Sequence, residues 1–224
     1  MAKLIGYGED SLTLWALTKN YAKFKEKFKE NLDEATIFYR PSFGRGGRSD
    51  KNFGEFDAVI VSSEKVYFIE SKWDHSSEIK KGTKKIVLRE EQKIRFDILR
   101  EYLKVWPKIV CVKNGKKVIE ENNEYNSLKN FLDEKLIQVL SVRDTDSTLF
   151  SNIDKIAEII EEKKIDCFDN SKFVNLVLYF HFKEDNEDYK VFDTKGDELK
   201  INVIKLSYKE YEKDEDGFVD LAKM

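Results

Sequence analysis

The chain has 224 residues, of which 41% are hydrophobic and 37% are charged, a composition typical of a globular protein with a highly charged surface. The formal net charge of −3 excludes a general attraction to nucleic acid, so any such binding must depend on local basic patches. No stretch approaches the ~20 apolar residues of a membrane span, and the first residues do not form a signal peptide. We therefore expect a cytoplasmic protein.

The first half of the chain predicts one helix followed by three strands. Apolar residues near helical spacing favour the helix, and Glu9 is well suited to its N-terminal end. Alternating and apolar runs favour the strands, and the last two should form a hairpin. In chain order we predict a helix over 9–32, a strand over 35–43, a Gly- and Arg-rich loop over 44–54, strands over 55–62 and 65–72, and a polar loop over 74–85.

The second half predicts helices and strands, followed by a β-rich end. In chain order we predict a helix over 85–106 with Pro107 just beyond it, a strand over 108–112, a helix over 126–135, a strand over 135–142, a helix over 151–165, and strands over 173–182, 189–192 and 200–208. The last three are typical of a meander. We predict an α/β core over 1–168, and a β-rich C-terminal extension over 169–224 packed on the same domain.

Three charged residues interrupt the apolar hairpin. Glu70 and Lys72 are two residues apart, so their side chains point to one face of the strand. If the turn lies near residue 63, Asp57 on the first strand is opposite them. By the same alternation, Phe56 should point away from Asp57. The hairpin alone is thus expected to gather two carboxylates and an ammonium, and charges among buried strands need a partner, a metal or a chemical role.

This set of side chains suits a hard cation and hydrolysis. Mg²⁺ prefers oxygen ligands and keeps several waters, so Asp57, Glu70 and the carbonyl oxygen of Ser71 could suffice to bind it. Two adjacent carboxylates repel each other unless a cation is present. Lys72 then has two candidate roles, to orient and help activate a water or to stabilise charge that develops on a phosphate.

The stretches GEFD (54–57) and IESK (69–72) resemble the PD-(D/E)xK nuclease superfamily, which includes restriction endonucleases. The resemblance covers roughly residues 9–112, and Phe56 replaces the proline of the motif. It implies a restriction-endonuclease-like mixed central sheet flanked by helices, with this hairpin at its centre. It also implies Mg²⁺ as cofactor, replaceable by Mn²⁺, and DNA as substrate. In many members a Glu on the first helix lies near the metal and a Gln follows the lysine strand; Glu9 and Gln92 match these positions.

Basic loops on either side of the hairpin are candidates for phosphate contacts. Arg45 and Arg48 lie among glycines just before it, and Lys80 and Lys81 follow it. A solvated surface is the alternative for both segments, as it is for Gln92 on its helix.

We expect a metal-dependent DNA nuclease, with a homodimer as one possible assembly and no membrane partner. A surface ion pair is the alternative interpretation of the motif itself. At the level of function, the alternative is a catalytically inactive nucleic-acid-binding or assembly module on the same fold. Neither cysteine lies in a CxxC pattern, so we expect no zinc site.

Overall fold

The computed structural model describes residues 5–28, 31–43, 54–80, 82–135, 145–182, 188–209 and 218–220. Within these ranges the chain is a mixed α/β protein. Its helices are α1 Gly8–Leu17, α2 Tyr21–Phe28, α3 Glu90–Ile109, α4 Asn123–Glu134 and α5 Thr148–Glu162. Its strands are β1 Ile5–Tyr7, β2 Thr36–Tyr39, β3 Ala58–Val61, β4 Val66–Trp73, β5 Ile79–Lys80, β6 Lys85–Val87, β7 Val110–Lys113, β8 Lys116–Ile119, β9 Phe173–His181, β10 Lys190–Phe192, β11 Glu198–Leu199, β12 Asn202–Ser207 and β13 Phe218–Asp220.

A five-stranded sheet in the order β12-β9-β4-β3-β2 forms the centre of the fold. Strands β2, β3 and β4 are antiparallel, so the predicted hairpin is present as β3 and β4. Strand β9 is parallel to β4, and β12 is parallel to β9. Helices cover both faces of the sheet, so every residue of β4 is buried. This burial explains why β4 is apolar except at Glu70, Ser71 and Lys72.

The two faces of the sheet hold separate hydrophobic clusters. On one face, Val59 and Phe68 pack with residues of α3, α4 and α5. On the other face, Ile60 and Ile69 pack with residues of α1 and α2. Alternation along β3 and β4 therefore decides which helices each side chain meets. Among the described residues, no helix is long and apolar enough to cross a membrane.

The predicted helix over 9–32 is wrong as a single element, because it breaks between Leu17 and Tyr21. The carbonyl oxygen of Trp15 accepts hydrogen bonds from the amides of Thr18 and Asn20, which closes a turn. Asn20 then begins the second helix, since its carbonyl oxygen accepts from the amide of Phe24. Threonine and asparagine are poor interior helix residues and good starting residues, and this accounts for the break.

Helix α3 is displaced along the chain from its predicted range. Lys85–Val87 forms strand β6, and the helix then runs from Glu90 through Pro107 to Ile109. Its last turn is held by the core, where Trp106 is 2% and Ile109 1% exposed. The predicted loop over 74–85 likewise contains β5, in which Ile79 pairs with Ile86.

The predicted C-terminal meander is wrong. Strands β9 and β12 lie beside β4 in the central sheet, while β10 and β11 join β6 and β5 in a separate four-stranded sheet. Strand β9 is apolar at nearly every position and buried along most of its length, so it fits a central position rather than a solvated hairpin. The strand predicted over 135–142 lies almost wholly outside the described residues. The division at residue 168 stays a prediction, although strands from both sides of it share one sheet.

Candidate active site

The site lies just before the start of β3, where β4 continues alone on that side. The last backbone contact between the two strands runs from the Asp57 amide to the carbonyl oxygen of Ile69, at 3.2 Å. One residue pair further, the side chain of Asp57 takes over, and its Oδ2 accepts a hydrogen bond from the Ser71 amide at 2.6 Å. Asp57 is therefore fixed against β4 beside Glu70 and Lys72. Burial raises the pKa of Asp57, although Lys72 and the Ser71 amide oppose the shift.

Phe56 does not follow the predicted alternation. Its ring packs in the same cluster as Val59, whereas alternation from Val59 would place it on the other face. Strand β3 begins only at Ala58, and the chain bends at Asp57, so the period of two does not extend to Phe56.

Glu70 is almost completely enclosed, with 2% of its surface exposed. Its Oε1 accepts from the Arg95 guanidinium at 2.5 Å. Burial raises the pKa of Glu70 to about 8; Arg95 opposes this shift, and the nearby carboxylate of Asp57 adds to it. The positive charge of Arg95 therefore offsets the burial of the Glu70 carboxylate only in part.

Lys72 is 4% exposed, and its Nζ lies 3.4 Å from Oε2 of Glu9. Burial lowers the pKa of Lys72, but Glu9, Glu70, Asp57 and Glu78 outweigh that effect, and the net pKa is raised. The side chain is therefore a charged ammonium surrounded by acids. This protonation state favours donation of hydrogen bonds and disfavours service as a base.

Glu9 reaches the site from the first turn of α1. Its carboxylate accepts a hydrogen bond from the Ser76 hydroxyl as well as from Lys72. Burial is the main reason that the pKa of Glu9 is raised. The start of α1 is fixed to β4 by Thr13, whose hydroxyl lies 2.6 Å from the Ser71 hydroxyl. Glu9 of the first helix therefore lies beside the hairpin, where the resemblance places a glutamate.

From the sequence, Arg95, one turn after Gln92, has either a site role or a place on a solvated helix face; in the structure it lies in the site. Its guanidinium donates to the carbonyl oxygen of Glu55 and to Glu70, and its carbon Cζ lies 5.5 Å from the centre of the Phe56 ring. Gly54 has a φ of +87°, and a β-carbon there would lie 3.2 Å from Nη2 of Arg95. Arg95 therefore connects the Glu70 carboxylate to the segment that follows the Gly- and Arg-rich loop.

Glu78, in the turn after β4, is a further acid of the site that sequence analysis missed. It is 9% exposed, and its Oε1 lies 3.0 Å from the Arg89 guanidinium. Burial raises the pKa of Glu78, but Lys72, Ser77 and Arg89 lower it by more, so the net shift is downward. Sequence analysis missed Glu78 because the surrounding segment has the composition of a polar loop.

The remaining predicted site residues take other positions. Gln92 is the third residue of α3, and its Oε1 accepts from the Arg89 amide at 2.9 Å in a capping box. Its catalytic role stays a prediction. Lys80 is exposed on β5 and donates to the carbonyl oxygen of Ser77 at 3.3 Å. Arg45, Arg48 and Lys81 lie outside the described residues.

The carboxylates suit a cation that keeps most of its waters. Among the described residues, no three His, Cys, Asp or Glu side chains are arranged to hold a metal ion together. Asp57 Oδ2 and Glu70 Oε1 are engaged by Ser71 and Arg95, and within the described part of the chain the second oxygen of each accepts no hydrogen bond. Two such oxygens fit Mg²⁺, which needs only one or two protein carboxylates.

Comparison with known proteins identifies no relative. No family model, curated protein or solved structure matches the chain. The function must therefore be argued from the site itself.

Proposed function

We propose that the protein is a metal-dependent nuclease that hydrolyses phosphodiester bonds of DNA on a restriction-endonuclease-like fold. The observation that carries the proposal is an imbalance of charge at the site, where four acids meet three cations. The acids are Glu9, Asp57, Glu70 and Glu78, and the cations are Lys72, Arg95 and Arg89. Burial raises the pKa values of Glu9, Asp57 and Glu70. A divalent cation would relieve this imbalance. The central position of the β3–β4 hairpin in a helix-covered mixed sheet adds support.

Asp57 and Glu70 would hold Mg²⁺, or Mn²⁺ in its place, with the carbonyl oxygen of Ser71 as a further candidate ligand. When bound, this ion supplies positive charge to the phosphate oxygens. Glu9 is better placed to hold Lys72 than to bind the ion directly, because its carboxylate is already engaged by Lys72 and Ser76.

In the proposed reaction, a water oxygen bonds to phosphorus and releases a proton to solvent, one phosphorus–oxygen ester bond breaks, and the leaving sugar oxygen takes up a proton, so that one water is added in total. The Lys72 ammonium, held by Glu9, would donate to a phosphate oxygen as negative charge develops there. Arg95 would keep Glu70 in one orientation. This division of roles follows from the raised pKa of Lys72, which disfavours its use as the base.

The test is cleavage of linear duplex, supercoiled plasmid, single strand and four-way junction with Mg²⁺, Mn²⁺ or EDTA. We expect cutting that depends on the metal, and we expect Lys72→Met and Asp57→Asn to reduce its rate by at least about 100-fold. Lys117→Met is the matched control. Lys117 lies on β8 and, like Lys72, is paired with acids, in its case Asp154 and Glu158 of α5.

Three results would count against the proposal. Cleavage that survives in EDTA would exclude the metal, and cleavage retained by Lys72→Met would remove Lys72 from the mechanism. DNA binding without cleavage of any substrate would favour the inactive binding or assembly module.

A further inference from the structure

Aromatic rings form an exposed cluster at the edge of the candidate active site. Trp73 lies between two neighbours: the His75 ring stacks on it with centres 4.7 Å apart, and the Tyr7 ring meets it edge-on at 5.4 Å. Tyr7 is 57% exposed and the His75 side chain 49%, whereas Trp73 is 9% exposed. Trp73 is thus the base of the cluster, and the other two rings face solvent.

This cluster is tied directly to the site residues. Tyr7 is two residues before Glu9, and Trp73 follows Lys72 on β4. The Trp73 amide donates to the Ser76 hydroxyl at 3.0 Å, and that hydroxyl donates to Glu9. Alternation turns the Trp73 side chain to the face of the sheet that α1 covers, and Glu9 reaches Lys72 from α1. A ligand group on the cluster would therefore lie on the Glu9 side of the site.

Another exposed ring, that of Tyr39, lies at the same end of α1. Tyr39 is 38% exposed, and its hydroxyl donates to the carbonyl oxygen of Asp10 at 2.8 Å. Among the described residues, the large apolar side chains classed as exposed are Tyr7, Tyr39, Val112 and Phe168. Two of these four, Tyr7 and Tyr39, adjoin the first turn of α1, which carries Glu9.

We propose that the Tyr7–Trp73–His75 cluster stacks an unpaired nucleobase beside the phosphodiester that Lys72 contacts. The inference rests on the proposed function and names its substrate class, nucleic acid with single-stranded character near the cut. Flat rings beside a phosphate site suit a base, because every base has a π face and stacking tolerates any sequence. In blunt duplex the bases are paired and stacked on one another, so the cluster would add little there.

The test measures binding by fluorescence anisotropy in a Lys72→Met background, with a labelled oligothymidine strand and a labelled blunt duplex. Tyr7→Ala and His75→Ala should each weaken single-strand binding about tenfold and change duplex binding less than about twofold. Tyr7→Phe should restore the single-strand affinity, because it keeps the ring. Phe168→Ala is the matched control, since Phe168 is 58% exposed and lies beyond α5.

The possible outcomes separate the two proposals. Equal losses on strand and duplex, no loss in either variant, or no binding of oligothymidine at all would each overturn the stacking site. Metal-dependent cleavage with no effect of Tyr7→Ala would overturn the stacking site and leave the nuclease intact. If the wild-type protein cuts nothing and the ring variants lose only single-strand binding, the stacking site is kept and the nuclease is rejected.

Discussion

Arg95 shows how one side chain can organise several parts of a site. Its guanidinium contacts the backbone of Glu55, the ring of Phe56 and the carboxylate of Glu70. A β-carbon at position 54 would press on the guanidinium at 3.2 Å, and the backbone φ there is also positive. The glycine of GEFD is therefore explained by the space that Arg95 occupies as well as by its own conformation.

Gly54→Ala should destabilise the protein and displace Arg95. A side chain at positive φ costs about 1–3 kcal/mol, and the new β-carbon would also press on the guanidinium. Gly196→Ala is the control, because Gly196 has a φ of +94° and a β-carbon added there would meet no atom within 4 Å. Urea unfolding should show a larger loss for Gly54→Ala. Equal losses would mean that the contact with Arg95 is unimportant.

At the residue scale, local sequence patterns predicted the position of some site residues and failed to predict that of others. The proximity of Asp57 to β4 follows from the position of the turn, which is evident in the sequence, whereas the bend at Asp57 that removes Phe56 from the alternation is not. The choice between Gln92 and Arg95 depended on where α3 begins. A helix that began at Lys85 would place Gln92 two turns inside, whereas the actual start at Glu90 uses its amide as a cap and leaves Arg95 to reach Glu70.

At the scale of elements, α3 is joined to the smaller sheet by one buried carboxylate. Asp193, which follows β10, accepts from Lys93 at 2.9 Å and from the amides of Lys195 and Asp197. These donors, with Lys93 the largest effect, lower the pKa of Asp193 to about 2 from an ordinary value of 3.8. The contact orients the start of the helix that carries Arg95.

Asp193→Asn should lower the free energy of unfolding in a manner that depends on pH. Because folding lowers the pKa of this acid, its contribution is present above pH 3.8 and is lost as the pH falls to about 2. Urea unfolding should therefore show a gap between wild type and Asp193→Asn at neutral pH that narrows in acid. Glu198→Gln, in an exposed pair with Lys190, should show little gap. A gap independent of pH would contradict the assignment.

Element boundaries were predictable where polarity changed sharply and failed where packing decided. The hairpin was predicted because a polar turn separates two apolar runs. Strand β5 was missed because it is short and lies in a lysine-rich segment, and only its pairing with β6 makes it a strand. The partners of β9 could not be inferred from the sequence, since parallel pairing depends on contacts between distant segments.

At the scale of the whole molecule, the hairpin is one half of a sheet that the C-terminal part completes. Strand β9 pairs with every residue of β4, from Val66 opposite Phe173 to Trp73 opposite Phe180. Side chains of β9 also belong to the hydrophobic clusters on both faces of the sheet. The residues beyond 168 are therefore structural partners of the site strand.

A chain that ends after Phe168 should not fold cooperatively, because β4 would lose its parallel partner and the two hydrophobic clusters would lose their β9 side chains. A chain that ends after Lys209 keeps β9 and β12 and should fold. Thermal melts followed by near-ultraviolet circular dichroism distinguish the two. A cooperative melt of the shorter chain would show that residues 1–168 fold as an independent core.

The pairing of β4 with β9 also sets an order of events during synthesis. The hairpin can close as soon as Trp73 has left the ribosome, but the other edge of β4 waits for β9, about 100 residues later. Until then its backbone groups are open to other strands. An incomplete chain would thus carry Asp57, Glu70 and Lys72 without the sheet that fixes them, so the candidate site would be assembled only when synthesis is nearly finished.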